Sequence, residues 1–161
     1  MKLGEEINTT KGVYMTEKVA SEPVSTYRTA ALQVITYKKL QNKINGVLKQ
    51  YGLNMTQWII LGRLREHKAG LRTTDLARFI NVEVPLITMV SQPLLGRGLL
   101  DSSKAAHDKR AKLLRLTDRA NELMDAVESG MQSQLKDLMK GISRQELNTY
   151  FKVLQTMVQS T

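Results

Sequence analysis

The stretch that decides the fold is TTDLARFINVEVPLITMVSQPLLGRG, residues 73–98 of a chain of 161 residues. Its first part predicts a short helix with Thr73 or Thr74 as the N-cap, because apolar residues recur there at a helical period. That apolar set is Leu76, Ala77 and Ile80. Asn81 and Val82 then form a turn before a second helix. Two short helices joined by a tight turn are typical of a helix-turn-helix.

The second helix of this pair begins near Glu83 and ends at Gly96 and Gly98. Pro85 is tolerated in its first turn, because the N–H groups there have no helical acceptor. Its apolar residues are Leu86, Ile87, Val90 and Leu94. A helix is narrow enough to enter the major groove of DNA, which is about 12 Å wide, so this helix is the predicted reader of base edges.

A β-hairpin is predicted after the two helices. Residues 99–103 and 111–116 have strand character, and residues 104–110 form a polar tip between them. The alternation is imperfect, because Leu113 and Leu114 are both apolar. The expected fold is therefore mainly α with a small β-hairpin wing: a winged helix-turn-helix core, to which helices from both termini are added.

The chain is basic, with a formal net charge of +9, and the surplus is concentrated at the hairpin. Residues 97–115 hold six basic and two acidic residues, whereas uniform scatter would leave a surplus of about one. The basic residues are Arg97, Lys104, Lys109, Arg110, Lys112 and Arg115. A solvated basic face is the alternative, but this position favours a hairpin that contacts phosphates and the adjacent minor groove.

Other chemistries lack the residues they need. The chain has no Cys, which excludes disulfides, thiolate metal sites and Cys nucleophiles. His67 and His107 are the two histidines, and the spacing gives neither of them a metal-binding or acid–base partner. We therefore expect no enzyme activity, no metal site and no cofactor.

Residues 1–24 are expected to form a flexible N-terminal tail, with Met15 as an alternative start. Glu5 and Glu6 lie in this tail, which lacks the apolar segment of a secretory signal. No apolar run approaches the ~20 residues of a membrane span. The expectation is a soluble cytoplasmic protein without a membrane partner.

Long helices are predicted on both sides of residues 51–120, the expected DNA-binding core. Residues 25–50 form the first, with Leu40, Ile44, Val47 and Leu48 at helical spacing. Asn54 and Gln57 then predict a capping box for a helix that reaches about Lys68.

The C-terminal part, residues 121–161, is predicted to supply two dimerisation helices. Thr117 caps the first, which Gly141 ends, and its apolar residues are Met124, Val127, Met131, Leu135 and Leu138. Ser143 and Glu146 form a capping box for the last helix.

Apolar stripes at the two ends of the chain exceed what one small core requires. They predict a homodimer that contacts itself through Leu32, Ile35, Tyr150, Phe151, Leu154 and Val158. Packing within the monomer is the alternative. Two subunits that read half-sites about one helical turn apart gain both affinity and selectivity.

Three segments resemble the MarR family of transcription regulators. They are YGLNMTQWIILGRL at residues 51–64, TTDLARFINVEVPLITMV at residues 73–90 and GRGLLDSSKAAHDKRAKLLRLTDRA at residues 96–120. The residues that fall at the family's wing spacing without a gap are Gly98, Leu99, Asp108, Arg110, Leu116 and Thr117. The resemblance extends to the flanking helices and implies a ligand-responsive repressor that binds a pseudo-palindromic operator as a homodimer.

The resemblance also implies roles in the wing. Asp108 would orient basic groups and Arg110 would enter the minor groove, although an Asp108–Arg110 pair that only stiffens the hairpin is the alternative. Lys104, Lys109 and Lys112 are predicted phosphate contacts, with a solvated face as the alternative for each.

The reading helix departs from the family pattern. Met89 follows Thr88 where a basic residue is common, and Ser102 stands where the wing often has Arg. The residues predicted to contact DNA from the helix-turn-helix are Thr73, Val84, Pro85, Leu86, Thr88, Met89 and Gln92. None of them gives the Arg contact to guanine, so the hypothesis is an A·T-rich site. Core packing is the alternative for Leu86 and Met89.

Members of this family often release DNA when a small aromatic acid binds. Tyr37 and Trp58 are the predicted lining of such an effector pocket, with a core position as the alternative for Trp58. The lack of Cys removes the peroxide-sensing branch of the family, and scarce His argues against its zinc-sensing branch. A protein- or RNA-interaction module on the same scaffold is the alternative function.

Overall fold

The computed structural model describes the backbone of residues 25–105 and 108–159, and the side chains of residues 25–103 and 112–159. The elements are α1 (Thr26–Gln50), α2 (Met55–Glu66), β1 (Leu71–Arg72), α3 (Thr73–Ile80), α4 (Val84–Gly96), β2 (Leu100–Ala105), β3 (Asp108–Leu116), α5 (Asp118–Leu135) and α6 (Arg144–Gln159). The predicted mainly α fold with a hairpin wing is confirmed. The predicted tail, residues 1–24, lies outside the described residues.

The chain divides into two compact units, Met1–Lys38 and Lys39–Thr161. In the first unit, the described residues form the N-terminal half of α1. Ser25 caps this helix, because its Oγ accepts a hydrogen bond from the backbone N of Arg28 at 3.2 Å. The large apolar side chains of this half are exposed: Tyr27, Leu32, Val34, Ile35 and Tyr37.

The core of the second unit is built around α2. Ile60, Leu61 and Leu64 of this helix are at most 1% exposed. The other large apolar side chains that are fully buried come from α1, α3, α4, β3 and α5, and they are Leu48, Leu76, Ile87, Leu94, Leu114 and Val127. Burial of each such side chain favours the folded state by about 1.5–3 kcal/mol relative to an exposed position. This core fixes α3, α4 and the sheet as one body.

The sheet has three antiparallel strands in the order β1-β3-β2. β1 is absent from the sequence prediction, because two residues are too short to show alternation. Gly70 permits this pairing, since a Cβ there would lie 2.6 Å from the carbonyl oxygen of Leu114, and its φ is +89°. The strands of the hairpin also extend beyond their predicted ends, so the polar tip is shorter than residues 104–110.

Two of the predicted helix starts in the core are confirmed. The side chain of Asn54 accepts a hydrogen bond from the N of Gln57 at 2.9 Å, and the Gln57 side chain accepts one from the N of Asn54 at 3.1 Å. Thr117 caps α5, because its Oγ1 accepts from the N of Ala120 at 3.2 Å. The same hydroxyl donates to the carbonyl of Gly98 at 2.9 Å, which ties α5 to the turn before β2.

Two predicted helix ends are wrong. The N-cap of α3 is Arg72, which makes no side-chain cap bond, rather than Thr73 or Thr74. Thr73 is the first residue of the helix and is 8% exposed, so packing and not capping determines its position. α5 ends at Leu135, because the chain forms turns from residue 136 onward, before it reaches Gly141.

The predicted capping box of α6 is confirmed. Ser143 Oγ accepts a hydrogen bond from the N of Glu146 at 3.2 Å, while the Glu146 carboxylate accepts from the N and Oγ of Ser143 at 2.8 and 2.7 Å. The hydrogen bonds from Ser143 lower the pKa of Glu146 below its ordinary value of 4.5. α6 is thus well defined locally, although it has no buried residue.

Among the described residues, no single helix combines the length and the hydropathy of a membrane span. α3 and α4 meet that criterion only when taken together, and the chain bends by 110° between them.

Candidate nucleic-acid interface

The turn between α3 and α4 sets the two helices at 110° to each other. Asn81 ends α3 with φ 59° and ψ 54°, a left-handed conformation that Asn tolerates better than most residues. Its backbone N donates to the carbonyl of Arg78 at 3.3 Å, and that of Val82 to the carbonyl of Ala77 at 3.0 Å. The angle lies within the range of about 90–120° for helix-turn-helix units.

The helix α4 has one buried face and one exposed face. Ile87, Ser91 and Leu94 are at most 1% exposed and hold the helix against the core. The opposite side presents Pro85, Thr88, Met89, Gln92 and Pro93 to solvent. Pro93 lies inside the helix and cannot donate to the carbonyl four residues earlier. The buried face therefore positions an exposed face that contains no charged residue.

The predicted DNA-contacting residues of α3 and α4 divide by their exposure. Met89 is 63% exposed, which rules out core packing for this side chain. Leu86 is 36% exposed, and Val84 is half-buried and packs against the core. Thr73 is buried, so its side chain does not face solvent as the prediction required.

The wing lies in the antiparallel pair β2–β3. Lys104 is paired with Lys112 and Ala105 with Asp108, with an irregularity between Lys104 and Ala105. Lys109 and Arg110 follow in β3. The side chains of Lys104, Asp108, Lys109 and Arg110 lie outside the described residues, so their roles stay predictions. Lys112 is half-buried on the same strand.

Two basic residues assigned to the hairpin surplus serve the fold instead. Arg97 donates from Nη1 to the carbonyl of Gly52 at 2.7 Å and from Nη2 to that of Tyr51 at 2.9 Å. Arg115 donates from Nε to the carbonyl of Ala69 at 3.0 Å. The charge of these residues is evident in the sequence, but their acceptors are not, because the acceptors lie about 45 residues away along the chain. The remaining basic residues of this stretch are Lys104, Lys109, Arg110 and Lys112.

A surface cavity of about 540 Å³ lies among α2, α3 and α5. Its lining residues are Trp58, Ile59, Gly62, Arg63, Arg65, Glu66, Phe79, Met124 and Glu128. The guanidinium carbon of Arg63 is 4.3 Å from the centre of the Phe79 ring, and Arg63 also pairs with Glu66 at 2.8 Å. Arg65 forms an ion pair with Asp125 of α5.

Of the two predicted pocket residues, Trp58 lines this cavity, and it also packs against the core. Tyr37 belongs to the first unit and is 60% exposed. Arg63 and Phe79 were not predicted from the sequence as pocket residues. Phe79 is an apolar residue on the polar side of α3, where it is 52% exposed. An aromatic residue among the polar positions of a helix is the feature of the sequence that could have indicated this pocket.

The residues predicted for dimerisation are all exposed in the single chain. On α6, Tyr150 and Phe151 are 53% and 61% exposed, and Leu154 and Val158 are 40% and 78% exposed. On the first half of α1, Leu32 and Ile35 are 45% and 51% exposed. Among the side chains that the structure describes, no group of three or more His, Asp or Glu could hold a metal ion.

Two helices at a steep angle, the second with an exposed outer face, and a two-stranded hairpin define a winged helix-turn-helix. Residues 53–112 match the model of the MarR family. The match begins just before α2 and ends within β3. It therefore contains both helices of the motif and most of the wing.

Several solved structures have a similar fold. A transcriptional regulator of this family from Rhodococcus sp. RHA1 has a TM-score of 0.76 at 18% identity, over 87% of this chain and 99% of its own. CouR from Rhodococcus jostii RHA1, bound to p-coumaroyl-CoA, has a TM-score of 0.74 at 20% identity, over 83% and 93%. A mutant of MarR from E. coli, complexed with operator DNA, has a TM-score of 0.69 at 18% identity, over 81% and 93%.

Proposed function

We propose that this protein is a cytoplasmic transcription regulator, not an enzyme, that binds a pseudo-palindromic double-stranded DNA site as a homodimer. The observation that carries the proposal is the exposed outer face of α4, held at 110° to α3 and followed by a basic hairpin. A helix presented in this way fits the major groove, while the hairpin reaches the neighbouring backbone and minor groove. The operator complex of E. coli MarR supports this use of the fold.

The wing supplies the electrostatic part of binding in this proposal. Lys104, Lys109 and Lys112 contact phosphates, Arg110 enters the minor groove, and Asp108 orients the basic groups. Contacts of this kind release counterions from the duplex, so affinity falls as salt rises. Because Arg97 and Arg115 donate to loop carbonyls, the wing has four basic residues left for DNA in each subunit.

The dimer is proposed because α6 buries none of its residues against the described part of its own chain. It is an amphipathic helix of 16 residues, and an isolated helix of that length is marginal in water. A second copy that covers Tyr150, Phe151, Leu154 and Val158 would remove this apolar surface from solvent. The exposed Leu32 and Ile35 on the first half of α1 are proposed to contribute in the same way.

A small aromatic effector is proposed to act at the cavity among α2, α3 and α5. Trp58 and Phe79 provide aromatic surface, and Arg63 provides a cation for a carboxylate. CouR, which shares the fold, is bound to p-coumaroyl-CoA, an aromatic thioester. A ligand that replaces Phe79 as the partner of Arg63 would act directly on α3, and so on the turn that positions α4. We infer repression relieved by such a ligand.

The test of DNA binding is selection of a site from random duplexes, followed by affinity measurements over a range of salt concentrations. Eight wing contacts in a dimer would give a slope of about −7 for the logarithm of the binding constant against that of the salt concentration. Arg110→Ala should weaken binding to all duplexes and reduce the slope by about 2. Arg119→Ala, an exposed arginine on α5 outside the interface, is the matched control.

The alternative function predicts a different result in the same experiment. A protein- or RNA-interaction module would select no duplex, would show no palindrome and would bind DNA with a flat salt dependence. That outcome would overturn the proposal.

The effector proposal is tested with a panel of aromatic carboxylates and their thioesters. A true effector should raise the melting temperature of the protein and release the selected duplex, and Phe79→Ala should weaken both effects. If the ligand releases DNA from Phe79→Ala and Trp58→Ala as readily as from the wild type, the effector binds elsewhere.

A further inference from the structure

The chemistry of α4 limits what it can recognise in DNA. Its sequence is VPLITMVSQPLLG, which contains no Arg and no Lys. The commonest specific contact in the major groove, a bidentate Arg or Lys to guanine, is therefore not available from this helix. The selectivity of α4 for base pairs therefore has to come from apolar contacts and from the amide of Gln92.

Three side chains form the centre of the exposed face. Pro85, Met89 and Gln92 follow one another by four and three residues, and all are exposed. The opposite positions, Ile87 and Leu94, are fully buried. Met89 is the most exposed large apolar side chain on α4, at 63%. The face thus presents an apolar side chain next to an amide, one helical turn apart.

Thr88 borders this face but has its hydroxyl group engaged. Its Oγ1 donates to the carbonyl of Val84 at 3.3 Å, within the helix itself. The outward side of Thr88 therefore adds a methyl group and acceptor lone pairs rather than a donor. This leaves Gln92 as the side chain of the exposed face that both donates and accepts.

The base pair that matches this face is A·T. Thymine is the base that offers an apolar group in the major groove, its C5-methyl, and apolar side chains recognise it by contact. Adenine offers an N7 acceptor and an N6 donor, which a Gln amide binds bidentately. Met89 matches the methyl group of a thymine, and Gln92 matches the hydrogen-bonding edge of an adenine.

We propose that α4 selects A·T pairs through contact of Met89 with thymine C5-methyl groups and through hydrogen bonds of Gln92 with adenine. The inference rests on the proposed function, because it requires α4 to lie in the major groove. The uncharged helix α4 supplies selectivity. The basic residues of the wing, Arg72 at the end of β1 and Arg78 on α3 supply positive charge that attracts the phosphate backbone of the DNA.

The experiment uses the full chain and the duplex obtained by selection. Each thymine is replaced in turn by deoxyuridine, which pairs identically but lacks the C5-methyl group. Loss of one methyl contact should weaken binding by about threefold to fivefold at the contacted positions. Thymines outside the bound region are the internal control and should show no effect.

Protein variants assign the contact to a residue. Met89→Ala should bind the thymine and uracil duplexes equally at the positions where the wild-type protein distinguishes them. Gln92→Ala should keep the uracil effect and lose discrimination at the neighbouring adenine. Ile142→Ala truncates another exposed apolar side chain away from α4 and should behave as the wild type. Met89 lies outside the core, so circular dichroism should find its variant folded.

The outcomes separate this inference from the function on which it rests. The protein could bind the selected duplex tightly without any loss of affinity when uracil replaces thymine, or with the same loss in Met89→Ala as in the wild type. Either result would overturn methyl recognition and leave DNA binding intact. A selected site with guanine at the positions facing α4 would do the same. Failure to bind any duplex would overturn the proposed function itself.

Discussion

α2 and α6 are helices of comparable length with opposite relations to the rest of their chain. α2 has 12 residues, and Gln57, Ile60, Leu61 and Leu64 are buried. α6 has 16 residues, each of them described, and none is buried. Both begin with a complete capping box, so local signals do not account for the difference.

The difference shows where each helix obtains its stability. α2 carries apolar residues around most of its circumference, which is typical of a helix at the centre of a core. α6 carries them as a single stripe, and no residue of that stripe is buried by the described part of the chain. A short helix in water needs tertiary contacts, so α2 is stabilised within the chain and α6 is expected to depend on a partner.

The largest expected effect is at the centre of the core. Leu61→Ala leaves a cavity at a position with no exposed surface and should lower the free energy of unfolding by about 2–5 kcal/mol. Urea denaturation measures it. Leu86→Ala, the same substitution at a position 36% exposed, is the control and should cost clearly less. Equal losses would mean that the core does not depend on α2.

The second effect separates α6 from the core. Phe151→Asp places a charge on the apolar stripe and should weaken the dimer by about 2 kcal/mol or more, while urea denaturation of the monomer changes little. Sedimentation velocity over a range of protein concentrations measures the dimer. Thr156→Asp puts the same charge on the opposite face and should leave assembly intact. A Phe151→Asp protein that remained dimeric would contradict the proposed interface.

A cap within the packed region should give an intermediate effect. Thr117→Ala removes the acceptor for the N of Ala120 and the donor to the carbonyl of Gly98, and should cost about 1 kcal/mol of unfolding free energy. Thr117→Ser keeps both bonds and should recover most of it. If the serine variant is as unstable as the alanine variant, the threonine methyl group rather than the hydroxyl is responsible.

The smallest effect is a pH dependence of α6. The folded-state pKa of Glu146 lies below its ordinary value of 4.5, because Ser143 hydrogen-bonds to the carboxylate. A depressed pKa contributes stability above the unfolded-state pKa, and that contribution is lost as the pH falls through the folded-state pKa. Dimerisation should therefore weaken as the pH drops below 4.5.

Glu146→Gln is the control for this pH effect, since an amide accepts the same backbone hydrogen bond without titrating. Its dimer should show a flatter profile in the acid range. An identical profile for the two proteins would assign the titration to other groups.

The sequence predicted the elements whose signals are local. The capping boxes at Asn54 and Ser143, the cap at Thr117 and the turn at Asn81 are each set by the chemistry of neighbouring residues. The apolar period of α1 and α5 likewise identified buried residues such as Val47 and Val127. These features need no knowledge of the distant chain.

The features that the sequence did not predict depend on distant contacts. β1 exists because Leu71 pairs with Leu114, more than forty residues away. Thr73 looked like a cap but is packed inside, and α5 stops at Leu135 although no Gly or Pro stands there. In the candidate site, the exposure of Met89 could be predicted from its position on α4. The cavity beside Phe79 could not, because it is formed by three helices whose packing the sequence does not give.

The hydrogen bonds of Arg97 have a mechanical consequence. The guanidinium group at the end of α4 holds the carbonyls of Tyr51 and Gly52 at the end of α1, and the Tyr51 hydroxyl donates to the carbonyl of Ala126 in α5 at 3.0 Å. Three helix segments thereby meet at one rigid joint. A shift of the last turn of α1 would therefore pull on the turn before the hairpin. Arginine holds the two carbonyls from two nitrogens of one rigid plane, whereas lysine would have to share a single nitrogen between them.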